Sequence, residues 1–595
     1  MTALSGRDLF QNPILSGFYP DPSICRVGDD YYLVNSSFAY FPGVPVFHSR
    51  DLVHWRQIGY CLTRPGQLPL ERVGTSGGIF APSIRYHAGV FYMITTNVTG
   101  GGNFYVTAQD PAGPWSDPIW VAQQGIDPSL LFDGDHVYLT STGMPEEAGP
   151  DGVKMQGIIQ SEIEITTGKL LTKPRLIWTG TGGSYPEGPH LYHIGKKYYL
   201  MIAEGGTEYG HTEVIARSDS PWGPWESCPQ NPILTHRSYH SPIQGLGHAD
   251  LVEAQDGSWW LVCLGFRPNF PQVHHLGRET FLAPVVWDAN GWPQVGQAGR
   301  IQLTMESPRL APVVWPAPAV RDDFDTPQLG LKWNFLGIPQ AADWSLSRQP
   351  GTLCLQGKSA SLDDGMGVVF VGCRQENFNC EVSTCLRFSP AEDGEEAGLT
   401  AWMDSRHHVE IFVERQAGKR FVSVRGRIGG LSARIAQNEL PDGLLTLFVR
   451  ANRHFYAFGM LDEAGAETIL ATSETRYLSS EVAGGFTGVY FALYTSGNGR
   501  ASTTPACYDW YEYRNLEEPG YLGIDSTITA LLQNDQTREV IAQYLPELAA
   551  HPPAEWGANL SLLDLAAMSP DQITPDTVLV VDAHLRRAKA ASHIS

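Results

Sequence analysis

A pair of aromatic or apolar residues recurs five times in the first half of the chain, each time between similar flanking residues. The pairs begin at Tyr31, Phe91, Val137, Tyr198 and Trp259. Their starting positions are 60, 46, 61 and 61 residues apart. Each pair follows a turn rich in Gly or Asp, and in several repeats a third strand-like segment ending near a Trp comes next, as in VFHSRDLVHW. Five repeats of four short antiparallel strands predict a five-bladed β-propeller.

Length and composition agree with an all-β protein of more than one domain. The chain of 595 residues is too long for one ordinary core, and its 62 Gly and 42 Pro are typical of turn-rich structure. A formal net charge of −22 disfavours nucleic acid and anionic membranes as partners and suits a neutral or cationic ligand, and a sugar would fit. No apolar leader or run of about 18 apolar residues occurs, so we expect no membrane association. Nine scattered cysteines without a CxxC pair predict reduced thiols and a cytoplasmic protein.

Carboxylates occupy the same place in three of the five repeats, next to the predicted first strand of each blade. The first strands of all blades line the axis of a propeller, so matched positions converge on one pocket. Aligned within one residue, these positions are Asp21, Ala81, Asp127, Glu187 and His248. Like charges that face one another across a narrow funnel cost stability, which indicates a chemical role. A lone Asp before Pro-Ser commonly caps a turn, but two DPS copies and one EGP at matched positions favour catalysis.

Hydrolysis of a glycosidic bond requires two such groups. One carboxylic acid protonates the leaving oxygen, and one carboxylate activates water or attacks the anomeric carbon. Glu187 follows Tyr185 and Pro186 and has the longer side chain, so we predict that it is the general acid with a raised pKa. Asp21, held between two prolines, is then the predicted base. Asp127 is predicted to orient the acid and to raise its pKa through its own negative charge.

The segments around these carboxylates, YPDPSI, GIDPSL and YPEGPHLY, resemble those of glycoside hydrolase family 43. The resemblance continues through FPGVPVFHSRDLVHW, SGGIFAPSIRYH, GHADLVE and LGRETFLAPVVW. It implies a five-bladed propeller that carries an Asp base, an Asp modulator and a Glu acid. It also implies an inverting, single-displacement mechanism, in which the acid and the base stand far enough apart for a water molecule to fit.

Four further residues are predicted to bind the substrate. By the same resemblance, Arg278 of LGRET reaches the pocket and donates hydrogen bonds to sugar hydroxyls. His248 lies in the axial position, where it can hydrogen-bond near Asp21 or sit beside a water or a cation. We interpret it as a core histidine rather than a metal ligand, and we expect neither a metal nor a cofactor. Phe38 and Phe80 are predicted to pack on the sugar, although Phe80 departs from the Trp that we expect in members resembling β-xylosidases.

The sequence changes character after Pro312. VVWPAPAV is predicted to link the propeller, residues 1–317, to a β-sandwich at residues 318–518, in which stretches such as HHVEIFVER alternate in polarity. By resemblance, this sandwich packs on the propeller and lends a loop to the pocket rim; an independent carbohydrate-binding module is the alternative. Apolar residues at helical spacing then predict a small helical appendage at residues 519–595 that acts in packing or oligomerisation.

These observations lead us to expect an exo-acting, inverting glycosidase that releases terminal pentose from xylo-oligosaccharides or arabinoxylan fragments. β-D-Xylose leads and α-L-arabinofuranose is the alternative, because both present similar hydroxyl geometry and one pocket can take both. A retaining fructosidase is disfavoured because its NDPNG-like and RDP motifs are missing. A non-catalytic, sugar-binding propeller stays open as a third interpretation. The predicted partner is an oligosaccharide, and a homo-oligomer is left open.

Overall fold

The computed structural model describes residues 9–585, except 71–72, 145–155, 270–271, 442, 463, 518–521, 554–556, 558–559, 575–576, 579 and 583. The part described contains an N-terminal propeller, a β-sandwich and a C-terminal set of short helices. The predicted fold class is therefore confirmed.

The N-terminal region consists of short strands. In chain order they are β1 (Leu9–Gln11), β2 (Ser23–Val27), β3 (Asp30–Val34), β4 (Tyr40–Phe41), β5 (Gly43–Ser49), β6 (Arg56–Leu62), β7 (Ser83–His87), β8 (Val90–Asn97), β9 (Gly102–Ala108), β10 (Ile119–Trp120), β11 (Ile126–Asp133), β12 (His136–Gly143), β13 (Gly157–Glu164), β14 (Lys169–Leu170), β15 (Arg175–Trp178), β16 (Glu187–Ile194), β17 (Lys197–Glu204), β18 (Thr212–Ser218), β19 (Glu226–Ser227), β20 (Leu234–Thr235), β21 (Gln244–Glu253), β22 (Trp259–Phe266), β23 (Glu279–Trp287), β24 (Pro293–Val295) and β25 (Thr304–Glu306).

These strands form five antiparallel blades. The blades are β2-β3-β5-β6, β7-β8-β9-β10, β11-β12-β13-β14 with β15 beside β13, β16-β17-β18-β19 with β20 beside β18, and β21-β22-β23-β24. All five recurring pairs of the sequence lie in the second strand of a blade, where one residue faces each neighbouring blade. The first strands contact one another around the axis, and β1 pairs with β25 to join the two ends of the propeller.

The sandwich has two large sheets. Its strands are β26 (Arg321–Asp322), β27 (Asn334–Leu336), β28 (Trp344–Ser345), β29 (Leu353–Leu355), β30 (Val369–Arg374), β31 (Cys380–Arg387), β32 (Glu396–Asp404), β33 (His407–Gln416), β34 (Lys419–Ile428), β35 (Leu431–Glu439), β36 (Leu445–Ala451), β37 (Phe455–Leu461), β38 (Glu467–Glu474), β39 (Tyr490–Ser496) and β40 (Ala506–Asn515). One sheet has the order β28-β29-β40-β31-β36-β37-β38, with β26 beside β40. The other has the order β35-β34-β33-β32-β39-β30-β27-β4.

The second of these sheets ends on a strand of the propeller sequence. Strand β4 lies in the loop between the second and third strands of blade one, and it pairs with β27, Phe41 opposite Phe335. The ring of Tyr40 stacks on Tyr490 at a centroid distance of 4.0 Å. Buried side chains on both sides of this junction belong to one hydrophobic cluster. The sandwich thus packs directly on the propeller through a shared core.

Short helices complete the described part of the chain. They are α1 (Ser480–Ala483), α2 (Ile528–Gln533), α3 (Asp535–Tyr544), α4 (Pro546–Ala550) and α5 (Leu562–Met568), with 3-10 turns at Pro65–Gln67, Leu362–Asp364 and Thr475–Leu478. The C-terminal helices have their own small apolar core, which includes Ile528 and Leu562. Asp564 of α5 contacts His454 of the sandwich at 3.3 Å. Among these helices, none is long and apolar enough to cross a membrane.

One expectation from the sequence is wrong for two cysteines. Cys354 and Cys507 lie opposite each other on β29 and β40 and form a disulfide across the sandwich sheet. They are separated by 153 residues and belong to no motif, so no local pattern predicts their pairing. The other seven cysteines are buried free thiols, as predicted.

Candidate active site

The propeller axis brings the predicted site residues together. Asp21, Asp127 and Glu187 lie within electrostatic reach of one another, with Arg278 and His248 beside them. Asp21 and Asp127 are almost fully buried, whereas 16% of the Glu187 side chain is exposed. The sequence alignment by repeats therefore places the right blades around one pocket. The direction of each side chain within the pocket depends on the local backbone geometry.

A β-bulge in each of three first strands sets the direction of the axial side chains. The pairing with the second strand shifts register immediately after Ile126, Glu187 and Gly247. The residues that follow are in the left-handed region: Asp127 at φ 53°, Gly188 at φ 58° and His248 at φ 50°. Gly188, rather than Glu187, is thus the structural equivalent of Asp127. A Cβ on Gly188 would come within 3.1 Å of the His248 ring, so a side chain there would crowd that ring.

Asp21 is fixed by two donors. One carboxylate oxygen accepts a hydrogen bond from Ser36 Oγ at 2.5 Å, and the other accepts one from Arg278 Nη1. Its backbone is also in the left-handed region, at φ 51°. Held at both oxygens and buried, the carboxylate has one orientation relative to the pocket.

Asp127 and Glu187 are coupled through one backbone amide. Asp127 Oδ2 accepts a hydrogen bond from the N–H of Gly188 at 3.1 Å, so it anchors the residue next to Glu187. Burial raises the pKa of Glu187 to about 8; the negative charges of Asp127 and Asp21 add to this rise, and Arg278 opposes it. Burial also raises the pKa of Asp127, against the effect of His248. Glu187 is therefore protonated at neutral pH.

Three phenylalanines form one aromatic wall. The predicted residues Phe38 and Phe80 lie 5.2 Å apart, and both contact Phe486 at centroid distances of 6.2 and 6.1 Å. Phe38 is almost fully buried, whereas Phe486 is 43% exposed. The guanidinium of Arg278 lies 5.7 Å from the rings of Phe38 and Phe486.

Sequence reasoning missed Phe486, which belongs to the sandwich. Its carbonyl accepts a hydrogen bond from Arg278 Nη2 at 3.2 Å, and its N–H donates to Ser76 Oγ at 2.9 Å. Just before it, Glu481 of α1 accepts hydrogen bonds from His274 Nδ1 and from the hydroxyl of Tyr209. A sandwich loop is therefore clamped onto the pocket at several points. No sequence motif marks this contact, because Phe486 lies 208 residues from Arg278 and in a different domain.

Sequence reasoning also missed His211, a fully buried residue just before β18. Its Nε2 atom lies 3.7 Å from Glu187 Oε1. Among the described residues, no three His, Cys, Asp or Glu side chains are grouped so that they could hold a metal ion. The lack of a metal or cofactor in the reaction stays a prediction.

Comparison with known proteins assigns this architecture to a family. Residues 10–293 match the model of glycosyl hydrolases family 43, and residues 321–514 match the beta xylosidase C-terminal Concanavalin A-like domain. The chain is 47% identical over 514 residues to the Non-reducing end alpha-L-arabinofuranosidase BoGH43B of Bacteroides ovatus, covering 85% of this chain and 95% of that protein. The chain belongs to glycoside hydrolase family 43. The predicted family and enzyme class are confirmed.

Other members of family 43 show the same likeness over most of the chain. A xylosidase/arabinosidase of Butyrivibrio fibrisolvens is 40% identical over 525 residues, which covers 85% of this chain and 99% of the relative. The solved structure of the xyloglucan-locus protein GH43B of Bacteroides ovatus superposes with a TM-score of 0.82 at 46% identity. That alignment covers 86% of this chain and all of the solved chain. The propeller and the sandwich of this family 43 enzyme therefore occur together in its relatives.

Proposed function

We propose that this family 43 enzyme releases a terminal pentose from the non-reducing end of oligosaccharides with inversion of configuration. The observation that carries the proposal is the contrast between two carboxyl groups in one pocket. Both oxygens of Asp21 accept hydrogen bonds, whereas Glu187 is buried among negative charges that keep it protonated. A carboxylate that is held by hydrogen-bond donors suits the role of the base, and a buried carboxylic acid suits the role of the proton donor.

The proposed mechanism is a single displacement. Asp21 takes a proton from a water molecule as that water attacks the anomeric carbon of the terminal sugar. Glu187 gives its proton to the glycosidic oxygen as the bond between that oxygen and the anomeric carbon breaks. Asp127 holds the Gly188 amide and, through its charge, favours the protonated acid before each turnover. Asp21 then releases the proton that it took to solvent, and Glu187 regains a proton from solvent.

The sandwich loop supports the exo mode of action. Phe486 lies over Phe38 and is tied to Arg278 and Ser76, so one side of the pocket is covered by a second domain. A pocket covered on one side fits a chain end better than the middle of a polysaccharide. Arg278 provides hydrogen-bond donors, and Phe80 and Phe486 provide the apolar faces that a pentose needs, with Phe38 packed behind them.

The order of the two candidate sugars is reversed relative to the sequence-based expectation. The relative at 47% identity is named an arabinofuranosidase that acts at non-reducing ends, and the one at 40% is named for both sugars. Phe80 in place of the expected Trp points the same way. We therefore place α-L-arabinofuranose first and β-D-xylose second.

Initial rates on aryl glycosides test this proposal. We expect hydrolysis of both 4-nitrophenyl α-L-arabinofuranoside and 4-nitrophenyl β-D-xylopyranoside, with the higher kcat/KM on the arabinofuranoside. The matching β-D-glucopyranoside, which carries an additional hydroxymethyl group, serves as the negative control. A higher kcat/KM on the xyloside would restore the first order of the sugars. No turnover of either pentoside would contradict the proposal and support a sugar-binding propeller instead.

The pH dependence of kcat/KM provides a second prediction. Glu187 has to carry a proton to act as the acid, and burial with the neighbouring carboxylates raises its pKa to about 8. Activity should therefore be kept at neutral pH and fall as the pH rises through about 8, tenfold per pH unit beyond that point. A pH series of kcat/KM, with circular dichroism at each pH to exclude unfolding, checks this. A basic limb near the ordinary pKa of a glutamic acid would contradict it.

A further inference from the structure

His211 has one defined protonation state. Its Nδ1 atom lies 3.1 Å from the carbonyl oxygen of Gly245, which can only accept a hydrogen bond. Nδ1 therefore carries the ring proton. Full burial lowers the pKa of His211 to about 3, so the ring is neutral throughout the working range. Nε2 is then left with a lone pair and acts only as an acceptor.

That lone pair faces the acid. His211 Nε2 lies 3.7 Å from Glu187 Oε1, and both atoms are buried without a hydrogen-bond partner among the described residues. An ionised Glu187 would place two acceptors opposite each other, whereas a protonated Glu187 can donate its O–H to Nε2 after a small rotation of the carboxyl group. The ring is closely enclosed, since a Cβ on Gly247 would lie within 2.6 Å of it. His211 is thus held at a fixed position beside the acid.

Other charged groups also face Glu187 and have to be separated from the effect of His211. The carboxylates of Asp127 and Asp21 favour its protonated form, and Arg278 favours its ionised form. Glu213, which accepts a hydrogen bond from the N–H of Ala249, also interacts electrostatically with Glu187. His248 packs on Gly188, next to the acid. None of these groups changes when His211 alone is replaced.

We propose that His211 is a positioning residue that holds the proton of Glu187 in the free enzyme until a glycosidic oxygen takes its place as the acceptor. The inference rests on the proposed role of Glu187 as the general acid. His211 acts through Glu187 and does not touch the sugar. Substrate binding then exchanges one acceptor, Nε2, for another, the leaving oxygen.

The test uses His211→Asn, which keeps an amide donor for the Gly245 carbonyl and removes the acceptor at Nε2. We expect the basic limb of kcat/KM, which reports the free enzyme, to move about one pH unit lower. The variant should lose about tenfold in kcat/KM above the limb and stay close to wild type below it. The limb of kcat, which reports the enzyme–substrate complex, should move less, because the substrate oxygen has replaced His211. A merely structural role would lower activity equally at every pH.

A second substitution guards against loss of folding. His211→Phe fills the space of the ring without either nitrogen, and thermal unfolding shows whether each variant is folded. The Phe variant should shift the limb in the same direction as the Asn variant. A folded His211 variant with an unmoved limb would overturn the proposal.

His236 provides a matched control. It is also fully buried, and its Nδ1 atom lies 2.7 Å from the carbonyl oxygen of Ile243, but its Nε2 atom accepts from the N–H of Ile301. His236→Asn should leave the limb in place, and an equal shift there would overturn the role of His211. Glu187→Gln in the same series should remove the limb altogether. A limb that persists in that variant would refute Glu187 as the acid, and the inference with it.

Discussion

Replacement of Asp21 by Asn is expected to lower kcat/KM by about 10³- to 10⁴-fold on every glycoside, whatever its leaving group. An amide has nearly the shape of the carboxylate and can still accept from Arg278 or Ser36. It cannot take a proton from the attacking water. Initial rates on the two 4-nitrophenyl pentosides measure the loss, and KM should change little because binding contacts remain.

Ser36→Ala is the control for this experiment. It removes the 2.5 Å hydrogen bond to Asp21 but leaves the carboxylate and its contact with Arg278. We expect a loss of less than about tenfold, since one orienting contact is lost and not the base itself. If Asp21→Asn kept more than a tenth of wild-type activity while folded, Asp21 would not be the base.

Replacement of Glu187 by Gln is expected to produce a loss that depends on the leaving group. Oligosaccharides leave as poor alkoxides and need the proton, so their kcat should fall by about 10²- to 10⁴-fold. A dinitrophenyl pentoside leaves without protonation and should lose less than about tenfold. The basic limb near pH 8 should also disappear, because the group that titrates there is gone. Rates on a series of aryl leaving groups measure both effects.

Asp127→Asn separates the role of Glu187 from that of its neighbour. The Asn side chain can still accept from the N–H of Gly188, but it no longer contributes a negative charge beside Glu187. The basic limb of kcat/KM should therefore move to lower pH without disappearing, since the raised pKa of Glu187 depends partly on that charge.

For the Glu187→Gln variant, equal losses of activity on all leaving groups would exclude Glu187 as the acid.

The propeller could be predicted from the sequence because its physical cause is periodic. Every blade needs a second strand that is buried between neighbouring blades, and the pairs from Tyr31 to Trp259 provide one for each blade. The carboxylates could be placed for the same reason, since the first strand of each blade reaches the axis. These inferences rely on residues that repeat at matched positions.

The rest of the site depends on features that do not repeat. The bulge at Gly188 puts Glu187 one residue ahead of the place that Asp127 occupies in its own blade, and no composition signal marks a bulge. His211 directly precedes the third strand of blade four, and the matching place in blade five is held by Arg278, so no shared residue type marks that position. Phe486 comes from a separate domain, and its approach to Arg278 follows from packing of whole sheets. Contacts of this kind are set by tertiary structure and leave no local pattern.

The strand pairing of β4 with β27 limits how this chain can be recombined. In a chimera joined at the proline-bearing linker, Tyr40 and Phe41 would stay with the propeller and would have to pair with the edge of a sheet from another protein. Backbone pairing alone would tolerate the exchange, but the stacking of Tyr40 on Tyr490 would not. The propeller and the sandwich are therefore expected to evolve as one unit, in which a change at Tyr40 is matched by a change at Tyr490, about 450 residues further along the chain.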